Sequence, residues 1–217
     1  YLLQNHKEQF TIINHPFTHR TTPIISQFDV RHLTDTVIWK KLNHINAVYE
    51  SPDGMVYIGT WDNGLYVTKG GVMKQHITKQ NHTWLQDNSI YNFSTLGKDE
   101  VLISTWHGLY LMDSRYNGTY IEHIGKSDVR GMHVLSATIP NEKEAWLGLV
   151  GGIAHIKGNL RNAETSEITI YSHVDRRGTL NPLSVSQLID HHDDAGNYQL
   201  GGIFRIIKDS KGRVWAC

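Results

Sequence analysis

Two tryptophans, each followed by polar side chains, are the residues of this sequence best suited to contact a ligand. The chain reads Trp61-Asp62-Asn63 at one place and Trp106-His107 at another. An indole ring can stack on the apolar CH face of a sugar, while carboxylate, amide and imidazole groups hydrogen-bond its hydroxyls. These residue types therefore predict that the two segments bind a sugar.

Two further segments carry similar side chains in long polar stretches. His82 and Trp84 lie in one stretch, and the pair Arg176-Arg177 lies in another. Long loops on a rigid scaffold often carry binding groups, and an arginine pair could hold a carboxylated or sulfated ligand. The candidate ligand-binding residues are Trp61, Asp62, Asn63, His82, Trp84, Trp106, His107, Arg176 and Arg177.

Each candidate also has an interpretation that needs no ligand. Trp61 and Trp106 recur at a fixed spacing, so they could equally pack between structural repeats. Asp62, Asn63 and His107 could be solvated turn residues, since polar side chains are common in turns. The sequence leaves both interpretations open.

The sequence contains no motif typical of catalysis, and we predict no catalytic residue, no cofactor and no metal site. It lacks a serine nucleophile elbow, a phosphate-binding loop and a dinucleotide fingerprint. His191-His192-Asp193-Asp194 resembles a metal cluster, but adjacent residues of an extended chain point to opposite sides and cannot easily ligate one ion. The single cysteine, Cys217, excludes an intramolecular disulfide and a cysteine-based zinc site.

Composition and charge argue against two classes of partner. The 217 residues are 39% hydrophobic and 19% charged, which is ordinary for a soluble globular protein. Lys and Arg total 21 and balance 21 Asp and Glu, so no net field favours nucleic acid or an anionic membrane. No apolar run approaches the roughly 18–20 residues that span a bilayer. We therefore predict neither nucleic-acid binding nor direct membrane insertion.

A repeat of about 44 residues organises the chain. Residues 56–66, 101–110 and 145–154 each contain an aliphatic-rich stretch and then a glycine that precedes an apolar pair. Self-similarity at a fixed period is the signature of repeat architectures. The shared glycine recurs every 44 residues, at Gly64, Gly108 and Gly152.

Each period contains four short stretches with strand character, separated by turn residues. Gly70-Gly71 predicts a hairpin in the first period. Asn117-Gly118 predicts a two-residue hairpin turn in the second, because both central positions of such a turn need positive φ. Four strands in about 40–45 residues is the size of one β-propeller blade. We predict an all-β fold of four-stranded antiparallel propeller blades, an incomplete piece of a larger propeller; a β-sandwich is the alternative.

The period also predicts how the chain is divided. Residues 1–44 would form a divergent blade or the strands of a preceding one, and residues 45–158 would form three recognisable blades. Residues 168–174 would complete the third blade, 175–202 would be a long link, and 203–217 would begin a further blade. The residues expected to support the repeat are Gly54, Gly59, Gly64, Gly108, Trp146, Gly148, Gly152, Gly212 and Trp215.

Blade geometry predicts where a ligand would bind. In a four-stranded up-and-down blade, successive connections alternate between the two faces of the disc. The loop between the second and third strands therefore shares a face with the link that enters the blade. We expect Trp61, Trp106 and the long links on this one face.

The repeat resembles the two-component regulator propeller repeat, in which a turn glycine precedes an aliphatic-aromatic-aliphatic-Gly-Thr strand and a Gly-Leu pair. The copy at residues 53–66 matches well. The second copy has Leu102 for the aromatic residue and Ser104 for the glycine, and the third has Leu149 for the threonine. The resemblance covers residues 45–158 and 203–217.

The resemblance implies a periplasmic, ligand-sensing part of a membrane-bound hybrid two-component histidine kinase, of the type found in gut Bacteroides. Its implied partners are a small-molecule ligand, an oligosaccharide, and the rest of the sensor chain, which would signal to transcription; homodimerisation is left open. This portion would have no enzymatic activity of its own. Two alternatives remain: a propeller lyase that acts on a polysaccharide or antibiotic, with His107 or His133 for acid–base chemistry, and a protein-interaction scaffold.

Overall fold

The described part of the chain is built almost entirely from β-strands. A short 3-10 helix, Leu160–Thr165, interrupts them. Strands β1 (Leu2–His6) and β2 (Gln9–Ile13) pair as an antiparallel hairpin. The computed structural model describes residues 2–6, 9–13, 44–174, 180–183 and 202–217.

Blade A is the first of three antiparallel sheets in which neighbouring strands follow one another along the chain. Gly54 closes the turn between its first two strands with a φ of 80°. Gly70 and Gly71, with φ of 57° and 79°, form the turn between the last two. This second hairpin is confirmed, because a side chain is rarely tolerated at positive φ. The strands of blade A are β3 (Ile45–Glu50), β4 (Met55–Thr60), β5 (Leu65–Lys69) and β6 (Val72–Ile77).

Blade B has the same order, and a small hairpin follows it. Its first strand, β7, lies beside β8, and the outer strand β10 pairs only with β9 within the sheet. The strands of blade B are β7 (Ile90–Leu96), β8 (Glu100–Thr105), β9 (Gly108–Met112) and β10 (Gly118–Ile121), and the hairpin is β11 (His123–Ile124) with β12 (Ser127–Asp128).

The prediction of a two-residue Asn117-Gly118 turn in blade B is wrong. Gly118 already belongs to β10 and pairs with Met112, and the residue with positive φ is Tyr116, at 66°. The Asp113 carboxylate accepts the backbone N–H groups of Arg115 and Asn117, both at 2.8 Å. A longer loop therefore forms, because one aspartate satisfies its backbone donors.

Blade C has five strands, and a two-stranded hairpin follows it. The strand β17 lies within residues 175–202, a segment for which the sequence predicted only a link. Residues 203–217 contain the hairpin of β18 and β19. The strands are β13 (Val134–Asn141), β14 (Glu144–Leu149), β15 (Gly152–Lys157), β16 (Glu167–Val174), β17 (Leu180–Leu183), β18 (Ile206–Lys208) and β19 (Val214–Ala216).

The recurring glycines occupy one register position in the three blades. Gly108 pairs with Thr105, and Gly152 pairs with Leu149. In blade A, the N–H of Thr60 donates to the carbonyl of Gly64 at 3.1 Å. Gly64 and Gly108 have positive φ, whereas in blade C the positive φ falls on the preceding residue, Gly151. Each glycine therefore stands where the third strand begins.

A second shared feature is a β-bulge at the start of each inner strand. The pairing of the first and second strands shifts by one residue at Asn46, Tyr91 and Leu135. A bulge leaves one residue outside the ladder and re-aims its side chain. The same irregularity thus occurs at equivalent places in all three blades.

The blades stack through their inner strands, because β3 lies beside β7, β7 beside β13, and β13 beside β18. Side chains bridge each boundary by hydrogen bonds to the next inner strand or, at the last boundary, to Ile203, which lies just before β18. The prediction of an all-β, propeller-like fold is confirmed by this succession of stacked antiparallel sheets, of which blades A and B have four strands and blade C has five. The bridges are Asn46 Nδ2 to the Ile90 carbonyl (3.1 Å), Ser94 Oγ to the Ala137 carbonyl (2.8 Å) and Ser136 Oγ to the Ile203 carbonyl (2.9 Å).

Small residues in the second strand of each blade allow this close approach. A Cβ on Gly59 would lie 2.7 Å from Cγ2 of Ile90, and one on Gly148 would lie 2.3 Å from the carbonyl oxygen of Ile203. Ser104 occupies the equivalent position in blade B, where it is fully buried. The blade boundaries therefore depend on the absence of a large side chain at this position.

Candidate functional site

The loops between the second and third strands lie beside the residues that enter each blade, as the connectivity predicted. In every blade, a backbone N–H of this loop donates to the carbonyl of the residue just before the inner strand. The two kinds of connection therefore share one face, which we call the loop face. These bonds run from Trp61 to His44 (2.9 Å), from Trp106 to Ser89 (3.2 Å) and from Val150 to His133 (3.2 Å).

Strand-ending threonines hold the first two of these loops. The buried hydroxyl of Thr60 donates to the carbonyl of Gly64 (2.8 Å), and that of Thr105 donates to the carbonyl of Gly108 (3.0 Å). The same threonine oxygen accepts a backbone N–H from inside the loop, from Asn63 or His107. Trp61 and Trp106 are therefore presented by rigid turns.

Four aromatic rings form a continuous row along the loop face. Trp61 meets Tyr91 edge to face at 5.6 Å, Tyr91 lies 5.9 Å from Trp106, and Trp106 stacks on His133 at 4.1 Å, all between ring centroids. Tyr91 is the bulged residue of β7, and His133 immediately precedes β13. We call these four residues the aromatic row; it runs from blade A across blade B to the entrance of blade C.

The two tryptophans differ in what they leave open to solvent. Trp61 is 50% exposed, and its contact within the row is with Tyr91. Trp106 lies between Tyr91 and His133 and is partly buried. Burial raises the pKa of Tyr91 to about 12, with a smaller contribution from the negative charge of Asp87. The phenol of Tyr91 therefore stays protonated at neutral pH. Because Trp61 is the more exposed tryptophan, it offers most of the open stacking surface.

His107 adds a polar group at the far end of the row. Its ring meets His133 edge to face at 5.7 Å, and its Nδ1 lies 2.6 Å from Oδ2 of Asp87. The imidazole is 56% exposed, whereas the Asp87 side chain is only 13% exposed. The link before blade B therefore fixes a ring that faces solvent beside the aromatic row.

Asn63 and Asp62 have different surroundings although they are neighbours. The Asn63 side-chain amide donates to the phenol of buried Tyr66 at 2.6 Å. The backbone carbonyl oxygen of Asn63 lies 2.8 Å from Nε2 of His76. Asn63 therefore holds the loop to blade A. Asp62 is exposed beside Trp61 and remains placed to meet a ligand.

Trp84 and His82 pack on the outer part of blade B. The Trp84 ring covers Gly118, where an added Cβ would lie 2.1 Å from the indole, and it contacts Tyr110 at 5.9 Å. Its Nε1 is buried and has no hydrogen-bond partner among the described residues. His82 meets Trp84 edge to face at 6.2 Å and hydrogen-bonds Asn81. Trp84 therefore packs on blade B as a structural residue and covers one face of its outer strand.

The predicted repeat residues Trp146 and Trp215 are not members of the row. Trp146 stacks on His155 at 3.9 Å and donates its Nε1 to Glu144. Trp215 is 53% exposed and donates its Nε1 to Asp209 at 3.0 Å. Arg176, Arg177 and the His191–Asp194 cluster lie outside the described residues.

Sequence reasoning missed Tyr91 and Asp87, and it named His133 only as a possible acid–base residue of the lyase alternative. A β-bulge carries Tyr91 to the loop face, and the repeat pattern does not mark that bulge. His133 is equivalent to His44 in blade A but to Ser89 in blade B, so a histidine is not present at this position in every blade. Its place before an inner strand was the available signal.

A concave surface lies between β10 and the 3-10 helix, away from the aromatic row. Carboxylates of Glu100, Asp113, Glu122 and Glu164 line it together with Arg161. The Arg161 guanidinium pairs with Glu100 and with Glu142 (3.3 Å), and it donates to the Leu96 carbonyl at 2.9 Å. The positive charge of Arg161 is therefore already paired within the protein.

No group of three or more His, Cys, Asp or Glu side chains in residues 44–171 and 202–217 is placed to hold a metal ion. Nor does that part of the chain contain a helix long and apolar enough to cross a membrane.

Neither a known protein family nor a curated protein matches the sequence. Solved structures with a similar fold include PorZ, an essential bacterial surface component of the type-IX secretion system of Porphyromonas gingivalis. The likeness has a TM-score of 0.50 and 15% identity, and it covers 80% of this chain and 23% of PorZ. At this identity it shows the fold alone.

The extracellular domains of BT4673 and BT3049 from B. thetaiotaomicron are also similar to this chain. For BT4673 the TM-score is 0.48 and the identity 16%, over 80% of this chain and 19% of that one. For BT3049 the values are 0.44 and 15%, over 80% and 25%. The chain thus spans a quarter or less of the length of these proteins.

Proposed function

We propose that this chain is a ligand-binding module of an extracytoplasmic sensor and that it holds an oligosaccharide on the loop face. The observation that carries the proposal is the aromatic row, whose rings come from two loops and two strand entrances. Sugars combine apolar CH faces with many hydroxyls, and they match a surface of this kind. The half-exposed Trp61 supplies the stacking surface, and the exposed imidazole of His107 supplies a hydrogen-bonding group.

The rigidity of the row supports binding over a purely structural role for these residues. Both loops are closed by buried threonine hydroxyls, and each ring of the row contacts the next. Side chains that are held in place before binding lose little entropy when a ligand arrives. A half-exposed indole on a fixed loop is therefore suited to a weakly interacting polyol.

The location of the row at the blade boundaries suggests how binding could be sensed. Trp61 of blade A contacts Tyr91 of blade B, and Trp106 of blade B contacts the entrance of blade C. A ligand that lies along the row would touch more than one blade and favour one relative arrangement of them. The assignment to a periplasmic histidine-kinase sensor rests on the resemblance of the repeats.

The test is a binding screen with the 217-residue chain. Hexasaccharides of glucose, xylose, mannose and galacturonate are added in turn, and both the unfolding temperature and the heat of binding are measured. A ligand at one hundred times its Kd stabilises the native state by about 2.7 kcal/mol. We expect at least one sugar to raise the unfolding temperature in a saturable way.

The same mixtures are then analysed for sugar fragments. Binding without turnover is expected, because a sensor must leave its ligand intact. Products formed at a catalytic rate would favour the lyase alternative. A failure of every hexasaccharide to bind would overturn the proposal that the aromatic row is a sugar site.

A further inference from the structure

We infer that His107, oriented by Asp87, is the residue that selects the ligand, and that it accepts a hydroxyl hydrogen from an uncharged sugar at Nε2. This inference rests on the proposed function, because it concerns the same face. Asp87 acts as a positioning residue, because it determines which nitrogen of His107 faces the sugar.

The geometry determines which ring nitrogen carries the hydrogen. The 2.6 Å contact joins Nδ1 of His107 to a carboxylate oxygen of Asp87, which can only accept. In the neutral form of the ring the hydrogen therefore resides on Nδ1, and Nε2 has a lone pair. The other Asp87 oxygen accepts the backbone N–H of Ser89 at 2.8 Å, so the carboxylate itself is fixed.

The imidazole is both exposed and immobilised. The backbone N–H of His107 donates to Thr105 Oγ1 at 3.0 Å, and the phenol of Tyr110 donates to the His107 carbonyl at 3.3 Å. The ring edge rests against His133. Because Asp87 holds Nδ1 from the protein side, Nε2 is the ring nitrogen available to a ligand.

The charges near the row favour a neutral sugar. Asp87 lies behind the His107 ring, and Asp62 stands exposed beside Trp61. A carboxylated or sulfated sugar would meet a negative charge at either end of the row, and like charges across an interface are unfavourable. A hydroxyl that donates to Nε2 creates no such repulsion.

The competing interpretation is that the Asp87–His107 hydrogen bond only ties the link before blade B to the loop. Asp87→Asn separates the two roles. An asparagine amide can donate to Nδ1 and keep the tie, but it then places the hydrogen on Nε2 and turns the acceptor into a donor. A purely structural bond would leave sugar affinity unchanged in this variant.

The experiment measures tautomer and affinity in the same proteins. ¹⁵N NMR of labelled histidine reports which nitrogen of His107 is protonated in the parent chain and in Asp87→Asn, with His107→Phe to assign the signal. Calorimetry then gives the affinity of each variant for glucose, xylose and mannose hexasaccharides and for the galacturonate hexasaccharide. We expect hydrogen on Nδ1 in the parent, hydrogen on Nε2 in Asp87→Asn, an affinity loss of at least tenfold for the neutral sugar, and little binding of galacturonate.

Three results would overturn the inference while sugar binding itself survives. They are a parent His107 with hydrogen on Nε2 or on both nitrogens, unchanged affinity in Asp87→Asn, and tighter binding of galacturonate than of any neutral sugar. If no hexasaccharide binds the parent chain, the proposed function fails and the inference fails with it. The NMR result remains readable in that case and reports separately on the geometry.

Discussion

Trp106 stacks on His133 with ring centroids 4.1 Å apart and planes inclined by 29°, although the two residues belong to adjacent blades. Trp61 meets Tyr91 across the preceding boundary. The two sequence interpretations of these tryptophans, packing between blades and facing a ligand, are therefore compatible. The rings join one blade to the next, and Trp61 still leaves half of its surface open.

Replacing Trp61 by alanine is expected to weaken sugar binding and to change stability little. The side chain is 50% exposed, and its ring contact with Tyr91 contributes about 1 kcal/mol. Loss of the stacking surface should weaken binding at least tenfold in calorimetry with the hexasaccharide that binds best.

Trp215→Ala is the matched control for Trp61. Trp215 is 53% exposed and lies on β19, outside the aromatic row. Its removal should leave sugar affinity within twofold of the parent. Equal losses of affinity in the two variants would show that the row is not the sugar site.

Ser104→Ala is expected to stabilise the protein. The Ser104 hydroxyl is fully buried and has no hydrogen-bond partner in the part of the chain that the structure describes. An unpaired buried hydroxyl costs about 1–3 kcal/mol. Denaturant unfolding should show a gain of about 1 kcal/mol. Ser136→Ala is the control, because that equally buried hydroxyl donates to the Ile203 carbonyl at 2.9 Å and its loss should destabilise. A destabilised Ser104→Ala would contradict the assignment of an unpaired hydroxyl.

Gly118→Ala is expected to destabilise blade B by about 1–3 kcal/mol, because overpacking displaces a well-packed ring. The added Cβ would lie 2.1 Å from the Trp84 indole. In a Trp84→Ala background the same substitution should cost little. A double-mutant cycle followed by denaturant unfolding measures the coupling between the two sites. Equal costs in both backgrounds would mean that Trp84 does not cover this glycine.

Glu144→Gln is expected to lower the free energy of unfolding by about 1 kcal/mol at neutral pH and to flatten its decline in acid. The Lys208 ammonium, 2.5 Å away, lowers the pKa of Glu144 from its usual 4.5. The unfolded carboxyl therefore takes up its proton at higher pH than the folded one. The stabilisation is complete above about pH 4.5 and is lost as the pH falls through the folded-state pKa.

Unfolding curves at pH 7 and at several values below 4.5 measure this dependence. Asp53→Asn serves as the control, because Asp53 and Lys69 form an exposed pair at 3.4 Å that solvent screens. That variant should match the parent chain at neutral pH. If Glu144→Gln kept the parent's full acid dependence, the Glu144–Lys208 pair would not link blade C to β18.

The repeat could be predicted from the sequence because local backbone geometry requires its glycines. Gly64 and Gly108 take positive φ and leave no room for a Cβ, so residue type alone marks them. The loop between β9 and β10 could not be predicted, because its conformation depends on hydrogen bonds to the Asp113 side chain. Asp113 lies outside the predicted Asn117-Gly118 turn. Likewise, nothing in a strand pattern shows that Tyr91 stands on a bulge.

Part of the candidate site could also be predicted from local features of the sequence. Trp61, Trp106 and His107 could be placed on one face, because the alternation of connections in a four-stranded blade depends only on strand order. Trp84 has the same residue type and a similar loop setting, yet its ring packs on Gly118 of the outer strand. Its partner lies 34 positions along the chain, and sequence spacing does not report such a contact.

The sequence by itself determined the period, the all-β class and the face on which the tryptophans lie, because local turn preferences and strand alternation act over a few residues. Only the tertiary structure decided which rings meet across blade boundaries and which carboxylate holds His107. Those contacts join residues from different strands and links, and they arise when the inner strands of neighbouring blades stack. Packing between distant segments, rather than local preference, therefore assembles the candidate site.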